Sequence, residues 1–390
     1  MTDNPFGSNP FETVFRDLMK VMSSQGQLAL SVAEQLAMPL ASGEGGDSNP
    51  DPQLRMRIEP LAELAQRELG TDSLLAEGVE AGPHAIDVVS PAEFARRTLT
   101  ELAPLIQRAE QLSRQAPAPP NLPGAEALEV AGIPLSQMSG MMGPMMTGLN
   151  AGSCVGHLAK EVLASYDIPL PRDQRQIQVV LANVGAFATE WSLDLDAVML
   201  WLSLNQLSMQ ALINLPHVAK RVRSMIEDHF AAAAQTGEAL ASKLSELDPS
   251  DPATIERLTS DPYALIGIEL SAAQESKLRE SRSYFAVIAG IADYATSRAA
   301  RKLMGNFEPI TEALRRRRLE MREGEDLFRK LFGIGLDNST FELGHRFIFG
   351  LVERNAEDML ARIFSDERAF PTPNEVDAPG LWLARLETLN

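Results

Sequence analysis

Three glycines spaced four residues apart, Gly148, Gly152 and Gly156, constrain this chain more than any other feature. On a helix, residues at i and i+4 lie one above the other, so the three leave a strip without side chains against which a second backbone can pack closely. Such a strip belongs to a fold built of tightly packed helices. Just upstream, Met138, Met141, Met142, Met145 and Met146 interleave with Gly140 and Gly143. Their flexible thioethers read as core filling rather than as a metal or cofactor site. A small-residue strip also suits a membrane helix. Here His157, Lys160 and Glu161 interrupt the apolar pattern and Pro144 breaks it, so the segment Ser136 to Tyr166 reads as a buried helix of a water-soluble fold.

The rest of the chain agrees with a mainly α fold carrying few short strands. Hydrophobic residues make up 45% of the 390 positions and aromatic ones only 6%, with 16 Met, a mixture that favours helices over sheets. Apolar spacing predicts helices at Glu12 to Met22, Gln27 to Leu40, Gln53 to Leu69 and Pro91 to Ser113, the last opened by Ser90 as N-cap with Pro91 in the first helical position. Ser42 to Pro52 and Ala116 to Pro123 read as loops. Beyond the loop Asp167 to Asp173, a short strand is predicted at Gln176 to Leu181 and a helix at Asn183 to Trp191. Asp194 and Asp196 then precede a long apolar run, which places a helix at Asp196 to Leu215 with acidic residues at its positive end. Further helices follow at His217 to Ala234, Ser281 to Met304, Pro309 to Arg322, Asp326 to Phe332 and Thr340 to Phe364. The expected organisation is a tail over residues 1–11, an N-terminal helical subdomain over 12–123 and a larger helical domain over 124–390.

Charge and cysteine content exclude some partners. A formal charge of −18 repels phosphate backbones, so nucleic acid is not an expected partner. A single cysteine, Cys154, leaves no internal disulfide. No signal-peptide pattern opens the chain and no apolar run is long enough to span a bilayer, so a cytoplasmic location is expected.

The run from Val198 to Leu212 carries Asn205, Gln206 and Met209, and a later segment reads Val287-Ile288-Ala289-Gly290. In these stretches the chain resembles the actinobacterial zincin-like metallopeptidase family, whose active helix bears HExxH and whose third ligand is a Glu before Gly. The resemblance extends to Asn4 to Leu36, Lys160 to Leu163, Val180 to Phe187, Arg315 to Arg318 and Pro371 to Trp382. It implies a zincin-like helical scaffold. It also implies a zinc ion gripped by two His at i and i+4, with the Glu between them activating a bound water. At the matching positions this chain has Asn205 and Met209 for the His pair, Gln206 for the base and Ala289 for the third ligand. Two neutral amides, a thioether suited to softer ions and a methyl group supply neither the ligands nor the base, so no cofactor is expected.

Other residues offer no obvious rescue. His84, His157, His217, His229 and His345 are scattered rather than paired, Glu227-Asp228-His229 has only an acid–base look, and Cys154 reads as a buried thiol. Asp293 lies one turn after Ala289 and so shares its helix face as a possible cleft residue, read as a polar neighbour on the rim. Arg315 to Arg318 point in every direction on a helix and read as solvated charge paired with local carboxylates. Three functions remain open: a non-catalytic scaffold whose cleft binds a protein or peptide partner, a hydrolase working through another constellation, and a structural protein that oligomerises.

Overall fold

The computed structural model describes residues 28–43, 50–79, 86–115, 135–172, 176–234, 272–320, 322–365 and 367–389. The tail over 1–11, the helix expected at Glu12 to Met22, the Pro-rich loop and His84 lie outside them.

Helix α1 (Leu28–Ser42) presents Ala29, Ala33, Ala37 and Ala41 along one buried edge, and α5 (Leu135–Glu161) lays its glycines against that edge. A Cβ added at Gly152 would stand 2.6 Å from the Ala33 carbonyl oxygen, and one at Gly156 would stand 2.7 Å from the Leu40 Cβ. The strip therefore works as its spacing predicts, by backbone approach. Pro144 sits inside this helix without ending it. A proline removes one intrahelical N–H, and tertiary packing along the remaining turns outweighs that loss.

Helix α2 (Pro52–Leu69) is capped by Asp51, whose side chain accepts from the Gln53 N–H at 2.9 Å. A short helix α3 (Ala76–Val79) follows. Strand β1 (Ile86–Val88) then pairs in parallel with β2 (Ile177–Val179), matching Ile86 to Ile177 and Val88 to Val179. Helix α4 (Pro91–Gln115) begins as the sequence predicts, with the Ser90 hydroxyl accepting from the Glu93 N–H at 3.1 Å. Helices α1, α4 and α5 pack together.

After β2 come α6 (Leu181–Glu190), α7 (Leu195–Ile213), α8 (Pro216–Ala234) and the long α9 (Ala272–Leu303), which starts nine residues ahead of the expected Ser281. Then follow α10 (Glu308–Leu319), α11 (Glu323–Phe332) and α12 (Asn338–Val352). The helix expected at Thr340 to Phe364 divides: Asn355 takes a left-handed φ of 56° and a 3-10 helix covers Glu357–Phe364. Two short helices, α13 (Pro373–Asp377) and α14 (Pro379–Leu389), close the chain. Their Trp382 is buried and donates to the Ala369 carbonyl at 2.7 Å.

The fold is mainly α, and segments from both expected subdomains contribute to one apolar core. Helix α2 lies across α7, α7 packs on α9, and α9 packs on α12. Among the described residues no helix is long and apolar enough to cross a membrane.

Candidate functional site at the crossing of the buried helices

Helix α7 starts where its caps dictate. Asp194 accepts from the Ala197 N–H at 2.8 Å, and Asp196 adds negative charge to the first turn. Every residue from Val198 to Ile213 is buried, so the polar side chains within that run must find partners inside the protein. Gln206 finds two. Its Oε1 accepts from the Tyr166 N–H at 2.6 Å, and its Nε2 donates to Asp167 Oδ1 at 3.1 Å. Asp167 Oδ2 in turn accepts from the Leu163 N–H at 2.7 Å. An amide suits this place because it has both a donor and an acceptor. A carboxylate here could accept from Tyr166 but would face Asp167 with like charge.

Asn205 and Met209, one turn apart, line a small cavity of about 60 Å³ together with Trp201, Arg317, Arg318 and Glu325. Ala289 on α9 is fully enclosed, and the next residue, Gly290, lets α12 come close: a Cβ there would meet the Gly344 backbone at 2.8 Å. Helices α7 and α9 also touch through the Ser208 and Thr296 hydroxyls, 3.4 Å apart and both buried. One turn beyond Ala289, Asp293 lines a separate, larger cleft of about 640 Å³. Trp201 and Arg318 line both hollows.

The arginine run divides in a way the sequence reading missed. Arg315 and Arg316 are exposed and pair with Glu312 at 2.9 and 2.6 Å, as expected of solvated charge. Arg317 and Arg318 turn inward instead. Arg317 is buried, donates to the Glu161 carbonyl and stands over the Phe187 ring at 5.5 Å. Arg318 stacks on Phe341 with its guanidinium carbon 3.4 Å from the ring centroid. The missed signal was Ile310, Ala313 and Leu314 at i, i+3 and i+4, an apolar stripe whose next member is position 317.

These charges share a confined space. Burial pulls both guanidiniums below their usual range, opposed by Asp167 for Arg317 and chiefly by Asp293 for Arg318. Burial raises the Asp293 carboxyl against the pull of Arg318 and His345. Glu325 is pushed up to about 7 by burial, although Arg322 and Arg317 oppose the shift. It also lines a third cleft, of about 420 Å³, with Arg318, Arg322 and Asp167.

The remaining candidates are placed apart from this group. His229 is buried with Nε2 2.8 Å from the Lys330 carbonyl oxygen, and its neighbours separate from it: Glu227 is exposed and Asp228 lies 3.4 Å from Lys277 Nζ. His157 approaches Glu323 at 3.4 Å, and exposed His345 stacks near Phe349. Cys154 is buried, its thiol raised by burial, and it contacts the Gly324 carbonyl at 3.8 Å.

The family model for zincin-like metallopeptidases matches residues 27–383. The chain belongs to that family. Its fold is similar to that of a Chloroflexus aurantiacus protein described as "a putative hydrolase with a novel fold", with a TM-score of 0.60 at 16% identity over 93% of this chain and 98% of that one. At that identity the likeness speaks for the fold alone. No curated protein matches the chain.

A zincin needs three good donors and a base around its metal. The residues at hand do not fit zinc. Asn205 offers a neutral amide, Met209 a thioether and Ala289 a methyl, while the Gln206 amide is committed to Tyr166 and Asp167. Arg317 and Arg318 line the same cavity and would repel a dication there. Among the described residues no group of three or more His, Cys, Asp or Glu side chains is placed to hold a metal ion.

Proposed function

We propose that this chain is a zincin-derived protein of the actinobacterial type that has lost the zinc ligands and the general base, and that it acts in the cytoplasm as a non-catalytic binding or scaffold protein for a protein or peptide partner rather than for nucleic acid. One observation carries the reading: the cavity lined by Asn205 and Met209 is also lined by the guanidiniums of Arg317 and Arg318. Fixed positive charge there takes the electrostatic place of a metal and needs no deprotonated ligands. The role of Gln206 in holding the Tyr166–Asp167 turn supports it, because the base position then serves stability. The test is turnover of a mixed peptide library, read by mass spectrometry with and without added zinc. No cleavage is expected. Zinc-dependent cleavage lost in Asn205→Ala or Met209→Ala overturns the proposal.

Glu325 favours a second reading, a hydrolase working through a non-standard site. Its carboxyl, raised to about 7, lines a cleft with Arg318 and Arg322, and a group poised near neutrality suits proton transfer. That reading requires chelator-insensitive turnover whose pH profile breaks near neutrality and vanishes in Glu325→Gln. Turnover unchanged in that variant counts against it.

A further inference from the structure

The cleft of about 640 Å³ holds two opposite charges that do not meet. Asp293 from α9 and Arg318 from α10 both line it. They lie near enough for each to oppose the effect of burial on the other. Yet neither forms a hydrogen bond or an ion pair with any described residue, so they stand farther apart than a direct contact allows. The stacking of Arg318 on Phe341 holds the guanidinium away, and swinging it to Asp293 would give up that contact. A third group is more deeply enclosed and lacks a partner altogether. Trp201 is 2% exposed, lines the cleft, and its indole Nε1–H has no acceptor among the described residues.

A buried polar group without a partner costs free energy, and that cost falls on Trp201; Asp293 and Arg318 are partly exposed to the cleft and have no side-chain hydrogen bond among the described residues to hold them. A ligand that carries both charges at once gives a partner to all three groups. Its carboxylate would accept from Arg318, whose planar fork suits that anion, and from Trp201 Nε1–H. Its ammonium would donate to Asp293. The rest of the wall narrows the class. Phe307, Leu314 and Phe341 supply an apolar surface, whereas Glu308 and Glu342 oppose a dianion such as phosphate. Of the other charges on the wall, Glu312 pairs with Arg315 and Glu342 accepts from the Asn338 amide at 2.7 Å, while Arg346 and Glu308 stand at the exposed rim; the carboxylates of Asp293, Glu308, Glu312 and Glu342 outnumber the guanidiniums of Arg315, Arg318 and Arg346.

We infer that this cleft binds a free α-amino acid with an apolar side chain, its carboxylate on Arg318 and Trp201 and its ammonium on Asp293. The inference concerns a small ligand; it shares Arg318 with the proposed function but asks nothing of Asn205, Gln206, Met209 or Ala289, and holds whether or not the chain binds zinc. Titration calorimetry on the full chain tests it with three probes of one shape: L-phenylalanine, 3-phenylpropionate, which lacks the ammonium, and 2-phenylethylamine, which lacks the carboxylate. The zwitterion is expected to bind, and each single-charge analogue to bind roughly tenfold more weakly or not at all. Asp293→Asn and Arg318→Met are expected to weaken the zwitterion by a similar factor. The analogue series needs no variant, so it decides the matter even if Arg318→Met does not fold. No binding of phenylalanine, equal binding of the three probes, or unchanged binding in folded variants overturns the inference. None of these outcomes bears on zinc or on peptide turnover.

Discussion

Gln206 and Asp293 lie on the packed helices α7 and α9 and have opposite fates. Gln206 is satisfied at both ends of its amide, by Tyr166 N–H and by Asp167. Asp293 faces a cleft and has no hydrogen-bonding partner among the described residues, and Arg318 shares that condition. The neighbourhood of Gln206, Ala289, Gly290 and Gly344 is therefore closed by packing and internal hydrogen bonds. That of Arg318, Asp293 and Glu325 is left charged and open. Satisfied polar groups report on stability, whereas unsatisfied ones report on what the surface has yet to meet.

This contrast predicts a graded series of effects. The largest falls on the closed side. Gly344→Val would drive its Cβ into the Ala286 carbonyl where α12 crosses α9, and a loss of about 3 kcal/mol or more is expected in thermal or denaturant unfolding. A near-neutral result would mean that the helices do not approach there. Next comes Gln206→Ala, which leaves Tyr166 N–H and Asp167 without their partner and is expected to cost about 2 kcal/mol. If Gln206→Ala unfolds no more easily than Asp293→Asn, the two sides do not differ as described.

A smaller effect on the open side depends on pH. Glu325 has a folded-state value of about 7, above that of an unfolded glutamate, so the folded protein holds a proton that the unfolded chain has released. Its contribution is fully present below the unfolded value, near 4.5, and is lost as pH rises towards about 7. Glu325→Gln removes that loss. Its stability advantage over the unaltered protein should grow across this window to about 1–2 kcal/mol, a figure reduced for the water that reaches the cleft. A constant difference between pH 5 and pH 8 would contradict the burial of Glu325. The smallest effect belongs to the exposed arginines: Arg315→Ala and Arg316→Ala should leave the melting temperature unchanged, because their pairing with Glu312 is in solvent.

The sequence was most readable where structure is local. Asp194 and Ser90 each act within one helical turn, and the Gly148 to Gly156 strip shows its spacing locally although the α1 edge that it meets is distant in sequence; each performs its expected part. Strand β1 was missed because three residues, Ile86–Val88, are too few to show alternation and their partner lies about ninety positions away. The inward turn of Arg317 and Arg318 was missed for a related reason. Four consecutive arginines look alike, and what separates the inner pair from the outer is supplied by Phe187, Phe341 and the Glu161 carbonyl, all from distant segments. The absence of His or Glu at 205, 206, 209 and 289 is plain in the sequence; the place of guanidiniums beside two of those positions is visible only in the fold.

If the guanidiniums of Arg317 and Arg318 stand in for the family's metal, the chain holds no zinc, and metal stoichiometry decides between the two. Untagged protein, purified without added metal and then dialysed against a small excess of zinc, would be measured by inductively coupled plasma mass spectrometry beside Asn205→Ala and Met209→Ala. Far less than one zinc per chain is expected in all three. One zinc per chain in the unaltered protein, lost in the two variants, would contradict this expectation.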